Sequence, residues 1–250
     1  MSDVSVEDVG DHVAVVCMHR PPNNFFDTEL LGDLVKAYQD LSAGSWCRSI
    51  VLAAEGRHFC AGLDFSSNAG QDIGELYACA ERLFAAPLPV VAAVQGSAVG
   101  GGLGLAMSAD FRIATSASRF SANFARLGFH HGFALTVTLP RAIGQQRAAD
   151  LLFTGHRIGG EDARAIGLCD QLVDDAALRP ASIDLARAIA SSGPLAVRAI
   201  RATLREGLVD DVRRAMDRER TEQETLRVTK DFAEGIRATA ERREPRFTGE

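Results

Sequence analysis

The first 18 residues alternate loosely between apolar and polar positions. Valines at Val4, Val6, Val9, Val13, Val15 and Val16 predict two short strands turning at Gly10 and Asp11. Arg20, Pro21, Pro22, Asn23 and Asn24 interrupt this pattern. A helix is expected after them, with Asp27 or Thr28 as N-cap and Leu30, Leu31, Leu34, Val35 and Tyr38 along one face. Residues 49–54 and 89–94 read as buried strands with a helix at 71–86 between them, and residues 111–114 as a third strand. A glycine run at Gly100, Gly101, Gly102 and Gly104 opens a helix of small residues that reaches Ala109. Strands alternating with helices predict an α/β fold with a mostly parallel sheet covered on both faces. From Ala134 onward the chain reads as helical, and from about Leu195 to Arg243 it is charged with few aromatics. The expected organisation is a core over residues 1–193 and a C-terminal helical subdomain over 194–250, packed on the core or on a partner subunit.

Composition changes this picture little, but it narrows the function classes. With 250 residues, 46% hydrophobic and 24% charged, the chain is sized for one good core. A net charge of −6 argues against nucleic acid or anionic membranes as partners, while local basic spots could hold a small anion. Five cysteines (Cys17, Cys47, Cys60, Cys79 and Cys169) form no C-x-x-C pair, so neither a metal site nor a disulfide framework is expected. The N-terminal stretch is acidic and lacks a signal-peptide pattern, and the apolar runs fall far short of the ~20 residues of a membrane span. A cytoplasmic chain is the expectation.

The glycine run carries the strongest chemical signal. Gly100 and Gly102 begin a dinucleotide fingerprint, but Leu105 occupies its last position. No phosphate-binding G-x-x-x-x-G-K-[ST] occurs, and the frame around Ser97 is not a nucleophile elbow. What remains is a strand, a glycine run and a helix N-terminus, whose first peptide N–H groups lack intrahelical partners. A glycine-rich turn that lets helix and strand pack closely explains the run equally well. A second segment, Phe59, Cys60, Ala61, Gly62, Leu63 and Asp64, also leaves a strand and has small residues where another backbone could approach. Two such turns can aim one N–H each at a single oxygen, the geometry of an oxyanion hole.

These two segments, F-C-A-G-L-D at 59–64 and V-Q-G-S-A-V-G-G-G-L-G-L-A at 94–106, resemble the crotonase, or enoyl-CoA hydratase/isomerase, family. Arg20-Pro21 with Asn24, residues 120–144, Leu152 to Gly155 with Ile158, and residues 242–249 fit the same pattern, so the resemblance spans nearly the whole chain. It implies a spiral of ββα units with a C-terminal helical part that assembles homotrimers, often paired into hexamers. It also implies an acyl-CoA thioester as substrate, with coenzyme A entering only as part of it and no separate cofactor. By resemblance, the Leu63 and Gly101 N–H groups grip the thioester carbonyl as it becomes an enolate. Ala61, Gly62, Asp64, Gly100, Phe124 and Gly132 are placed around the acyl group. Tyr77, on the helix bordering the acyl pocket with Asp72 and Glu75, could donate to substrate or simply pack its ring. Arg20 resembles a position near the pantetheine and adenosine portion, and Arg242 one that reaches the 3′-phosphate from a neighbouring helix. Arg57 and His58 could meet coenzyme A phosphates or merely form an exposed turn.

The chain departs from the family's best-known hydratases at two positions. Their paired glutamates are replaced here by Gly104 and Phe124, neither of which can move a proton. A carboxylate that related isomerases and dehalogenases carry at or beside Gly132 is also replaced, but His130 and His131 immediately precede it. Either histidine could act as base or proton shuttle, or serve only as a loop and subunit contact. Asp64 reads as a turn cap or a catalytic carboxylate, and Cys60 as a small buried thiol. The charge run at 213–227 reads as a solvated helix face with i,i+4 pairs. The expected chemistry is isomerisation or bond cleavage beside a thioester enolate. The alternatives are a hydratase with atypical water-holding groups, a β-diketone-type hydrolase using histidine, and an acyl-CoA-binding subunit without chemistry.

Overall fold

The computed structural model describes residues 3–64 and 72–250. Strands β1 (Val4–Asp8) and β2 (Val13–Met18) form an antiparallel hairpin, and α1 (Thr28–Ala43) follows. Asp27 caps α1, its carboxylate accepting from the Leu30 N–H at 2.9 Å. The chain continues through β3 (Ser49–Ala54), α2 (Ile73–Phe84), β4 (Val90–Val94), β5 (Ser97–Val99), α3 (Gly101–Ser108), β6 (Phe111–Thr115) and β7 (Arg119–Ser121). A 3₁₀ turn at Asn123–Leu127 leads to α4 (Leu135–Ile143), α5 (Gln145–Thr154), β8 (Arg157–Gly159), α6 (Gly160–Ile166), β9 (Gln171–Val173) and α7 (Leu178–Ala190). Three helices complete the chain: α8 (Pro194–Leu204), α9 (Leu208–Leu226) and α10 (Lys230–Ala240). Of the second helix expected at 71–86, Gln71 lies outside the described residues, and α2 begins after Asp72, which accepts from the Gly74 N–H at 2.7 Å.

Two sheets organise this order. The large one runs β1-β2-β3-β4-β6-β9 and is parallel except at the first pair, and the small one runs β5-β7-β8. Successive units place one strand in each: β4 then β5 before α3, and β6 then β7 before the 3₁₀ turn. A bridge between Cys60 and Ala98 extends the small sheet to the segment after β3, completing the ββα spiral. Side chains of the large sheet alternate strictly between two cores. Val16, Ile50, Leu52, Ala92 and Ala114 face the main cluster with α1 to α4, while Val15, Val51, Val91, Ala93 and Ile113 pack on Leu178, Ala186 and Ala190 of α7. Both faces are therefore covered, and near-continuous apolar strands follow from that. A helix, α8, begins at Pro194, and Leu208, Val212 and Met216 of α9 join the main core.

Candidate functional site

The segment 59–63 is laced on both sides before it reaches the site. The Phe59 N–H donates to the Gln95 carbonyl (2.9 Å), Cys60 N–H to Ser97 (3.1 Å), and Val99 N–H to Cys60 (3.0 Å). On the other side the Ala61 N–H donates to the Asn23 carbonyl (2.9 Å) and the Phe26 N–H to Gly62 (3.0 Å). Fully buried Asn24 fastens this first turn, its amide donating to the carbonyls of Glu55 (2.8 Å) and His58 (2.6 Å). Beyond these ladders, neither the Leu63 nor the Gly101 N–H has a hydrogen-bond partner among the described residues. Gly101 is the first residue of α3, where an orphan N–H is intrinsic to the helix.

Glycine is required where these two turns meet. Gly62 has φ +87, and a Cβ there would lie 2.9 Å from the Val99 carbonyl oxygen and 3.3 Å from the Gly101 nitrogen. At Gly102 a Cβ would lie 2.1 Å from the Cys60 carbonyl oxygen. Both donors open onto one cavity of about 290 Å³, lined mostly by apolar side chains. Ala61, Gly62, Leu63, Asp64, Tyr77, Gly100, Gly101, Phe124 and Gly132 all line it.

The positions without a carboxylate are filled rather than empty. A Cβ on Gly104 would fall 2.5 Å from the Cβ of Phe133, which is held at φ +60 with its ring 5.4 Å from that of Phe26. A Cβ on Gly132 would fall 2.1 Å from the Tyr77 hydroxyl, which donates to Gln223 Oε1 at 3.0 Å. Burial pushes the Tyr77 phenol well above its ordinary range, so it is a neutral donor and acceptor.

Four predicted site residues lie elsewhere. Neither His130 nor His131 lines the cavity. Their rings stack 4.1 Å apart, with His130 Nδ1 2.7 Å from the His131 carbonyl oxygen and His131 Nε2 2.8 Å from the Thr136 hydroxyl. Burial and then the neighbouring His130 push the His131 pKa down to about 4. Arg20 is also absent from the lining, because it is engaged by Asp3 (2.6 Å), Asp27 (2.6 Å) and Glu29 (3.7 Å). Burial pushes the Asp27 carboxyl up, but the Leu30 N–H and Arg20 together hold it below the usual range. Arg242 is exposed just past α10 and outside the lining.

The roof of the cavity has no signature in the sequence. Gln223 of α9 and Arg227 at its C-cap, with Ile236, Thr239 and Ala240 of α10, close the cavity from above. The run 213–227 is thus not purely a solvated face. Met216, Glu219 and Gln223 are buried along one side of α9, a helical spacing masked by two polar residues at inward positions. Glu219, with no exposure, accepts from the Ala134 N–H (2.9 Å), the Thr136 N–H (3.1 Å) and the Thr136 hydroxyl (2.6 Å). Burial raises its pKa against the pull of these donors. Cys60 is fully buried, and burial pushes its thiol up to about 12, so it is no nucleophile.

The half-buried, neutral His131 has a consequence for acid stability. Between its ordinary 6.5 and about 4 the unfolded chain binds the proton and the folded chain does not, so stability falls as pH drops through that window. A His131→Asn variant is expected to lose less stability between pH 6.5 and 4 than the parent, measured by urea unfolding at each pH. An identical loss would show that His131 is not held neutral.

A sequence model of the family described as enoyl-CoA hydratase/isomerase matches residues 8–250. The mitochondrial methylglutaconyl-CoA hydratase of Rattus norvegicus is 33% identical over 240 residues, covering 91% of this chain and 76% of its own. The 1,2-epoxyphenylacetyl-CoA isomerase of Escherichia coli (strain K12) is 29% identical over 261 residues, with both chains covered in full (100%). The crystal structure of an enoyl-CoA hydratase/isomerase from Pseudoalteromonas atlantica T6c superposes with a TM-score of 0.89 at 27% identity, covering 98% of this chain and 100% of that one.

Proposed function

This chain belongs to the enoyl-CoA hydratase/isomerase family, and from that premise we propose that it binds an acyl-CoA thioester and stabilises its enolate with the Leu63 and Gly101 N–H groups. The observation that carries the reading is the pair of orphan peptide donors opening onto one apolar cavity. Donors fixed by backbone ladders cost no reorganisation when negative charge develops on the carbonyl oxygen, and an apolar surround strengthens them. Proton transfer falls to Asp64, the one carboxylate in the cavity lining among the described residues. The Tyr77 hydroxyl orients the acyl group, and Arg227, the one cation in that lining, meets the anionic end of the substrate. The paired-glutamate positions are Gly104 and Phe124, so isomerisation or bond cleavage beside the thioester is favoured over hydration. The histidine-based hydrolase loses its support, because both imidazoles lie outside the lining.

A second reading, a binding subunit without chemistry, draws on the same substitutions: Gly104 and Gly132 are packed by Phe133 and Tyr77. Incubation of crotonyl-CoA and saturated acyl-CoAs in D2O separates the two. Deuterium is expected at a carbon next to the thioester, lowered ~10²-fold or more in Asp64→Asn and by less than about threefold in His131→Asn. Tight binding with no exchange would favour the binding subunit, and rapid hydration of crotonyl-CoA would contradict the reading of Gly104 and Phe124.

A further inference from the structure

A second cavity, of about 550 Å³, shares no lining residue with the first. Its walls come from the loops that leave β3, β4, β6 and β9, so it opens at the carboxyl ends of four neighbouring parallel strands. That edge of an open parallel sheet is where loops from several strands converge, which is why ligands bind there. The volume is that of a small-molecule site.

Its charge is unexpected in a chain of net charge −6. Arg57, His58, Arg119 and Arg157 line it against a single carboxylate among the described residues, Asp175. Arg57 and Arg157 are exposed, and their guanidinium groups have no ion pair or hydrogen bond among the described residues. Arg119 is held in place, one guanidinium nitrogen donating to the carbonyls of Ser116 (2.8 Å) and Ser118 (2.7 Å). The Ser97 N–H donates to His58 Nδ1 at 3.2 Å, so the neutral ring carries its proton on Nε2 and is also a donor. Burial, then the charges of Arg57 and Arg157, push the His58 pKa down and favour that neutral form. Unpaired cations focused in a concave site raise the local concentration of anions, and guanidinium forks match phosphate oxygens in geometry.

We propose that this cavity binds a phosphorylated small molecule through Arg57, Arg119, Arg157 and His58. The inference does not depend on the acyl-CoA reading of the first cavity. Calorimetric titration of the whole protein with inorganic pyrophosphate, and separately with ADP, in a phosphate-free buffer of low ionic strength tests it. Saturable binding at one site per chain is expected, weakened at least about tenfold in the Arg57→Gln/Arg157→Gln double variant and unchanged in Arg227→Gln. ADP binding more tightly than pyrophosphate would identify a nucleotide, and equal affinities the phosphate group alone. Either would support the site. Because both arginines are exposed and unpartnered, the double variant should melt at the temperature of the parent. No saturable heat from either ligand, equal affinity in the double variant, or loss of binding in Arg227→Gln would overturn the proposal.

Discussion

Gly62→Ala is expected to slow exchange of the α proton by ~10²–10³, the cost of losing one oxyanion donor. An L residue at φ +87 is strained to begin with. Its methyl would stand 2.9 Å from the Val99 carbonyl oxygen and 3.3 Å from the Gly101 nitrogen. Val99 cannot yield cheaply, since its N–H is bonded to Cys60 at 3.0 Å and its strand pairs with β7. The two turns are therefore wedged apart, and the Leu63 and Gly101 donors no longer converge on one oxygen. Ground-state affinity for acyl-CoA should fall much less than the exchange rate, because the apolar walls are untouched. Exchange measured by NMR in D2O at saturating substrate, with melting followed in parallel, checks this. A folded variant exchanging at the parent's rate would place the enolate's stabilisation elsewhere.

Glu219→Ala is expected to cost the fold roughly 1–3 kcal/mol. Removing the carboxylate strands the buried Ala134 N–H, and a buried donor without an acceptor costs ~1–3 kcal/mol, while the Thr136 N–H and hydroxyl lie on an exposed residue that water can reach. The same carboxylate fixes the start of α4, where Phe133 and Ala134 are held at φ +60 and +58. Phe133 is the ring packed against Gly104, so loosening this turn also disturbs the cavity wall. Urea unfolding measures the cost. A change below about 1 kcal/mol would mean that water replaces the carboxylate and that the turn is held by its apolar contacts.

The elements with strong periodicity were readable from the sequence, and so was the close approach of the two turns beside the cavity. Valine-rich strands and an Asp27-capped helix announce themselves locally, and Gly62 and Gly101 stand in motifs whose small residues reflect a close backbone approach. The short strands β5, β7 and β8 were not readable, since three residues carry no period, and each exists through its pairing with another. The histidines misled for a related reason. Adjacency in sequence to Gly132 says nothing about which way an imidazole faces, and Thr136 with the edge of Glu219 draws His131 away from the cavity. Arg20 misled because the carboxylates that neutralise it come from residues 3, 27 and 29, converging only once the first turn folds. Gln223 was hidden by its own polarity on a helix that otherwise reads as solvated.

The most direct test of the central claim is the carbonyl stretch of a bound acyl-CoA carrying ¹³C at the thioester carbon, recorded as an isotope-edited infrared difference spectrum. Two peptide N–H groups converging on the oxygen weaken the C=O bond. The stretch should move to lower frequency than for the same thioester in water, and the shift should vanish in Gly62→Ala. A saturably bound thioester whose carbonyl frequency matches that in water would contradict the oxyanion hole at Leu63 and Gly101.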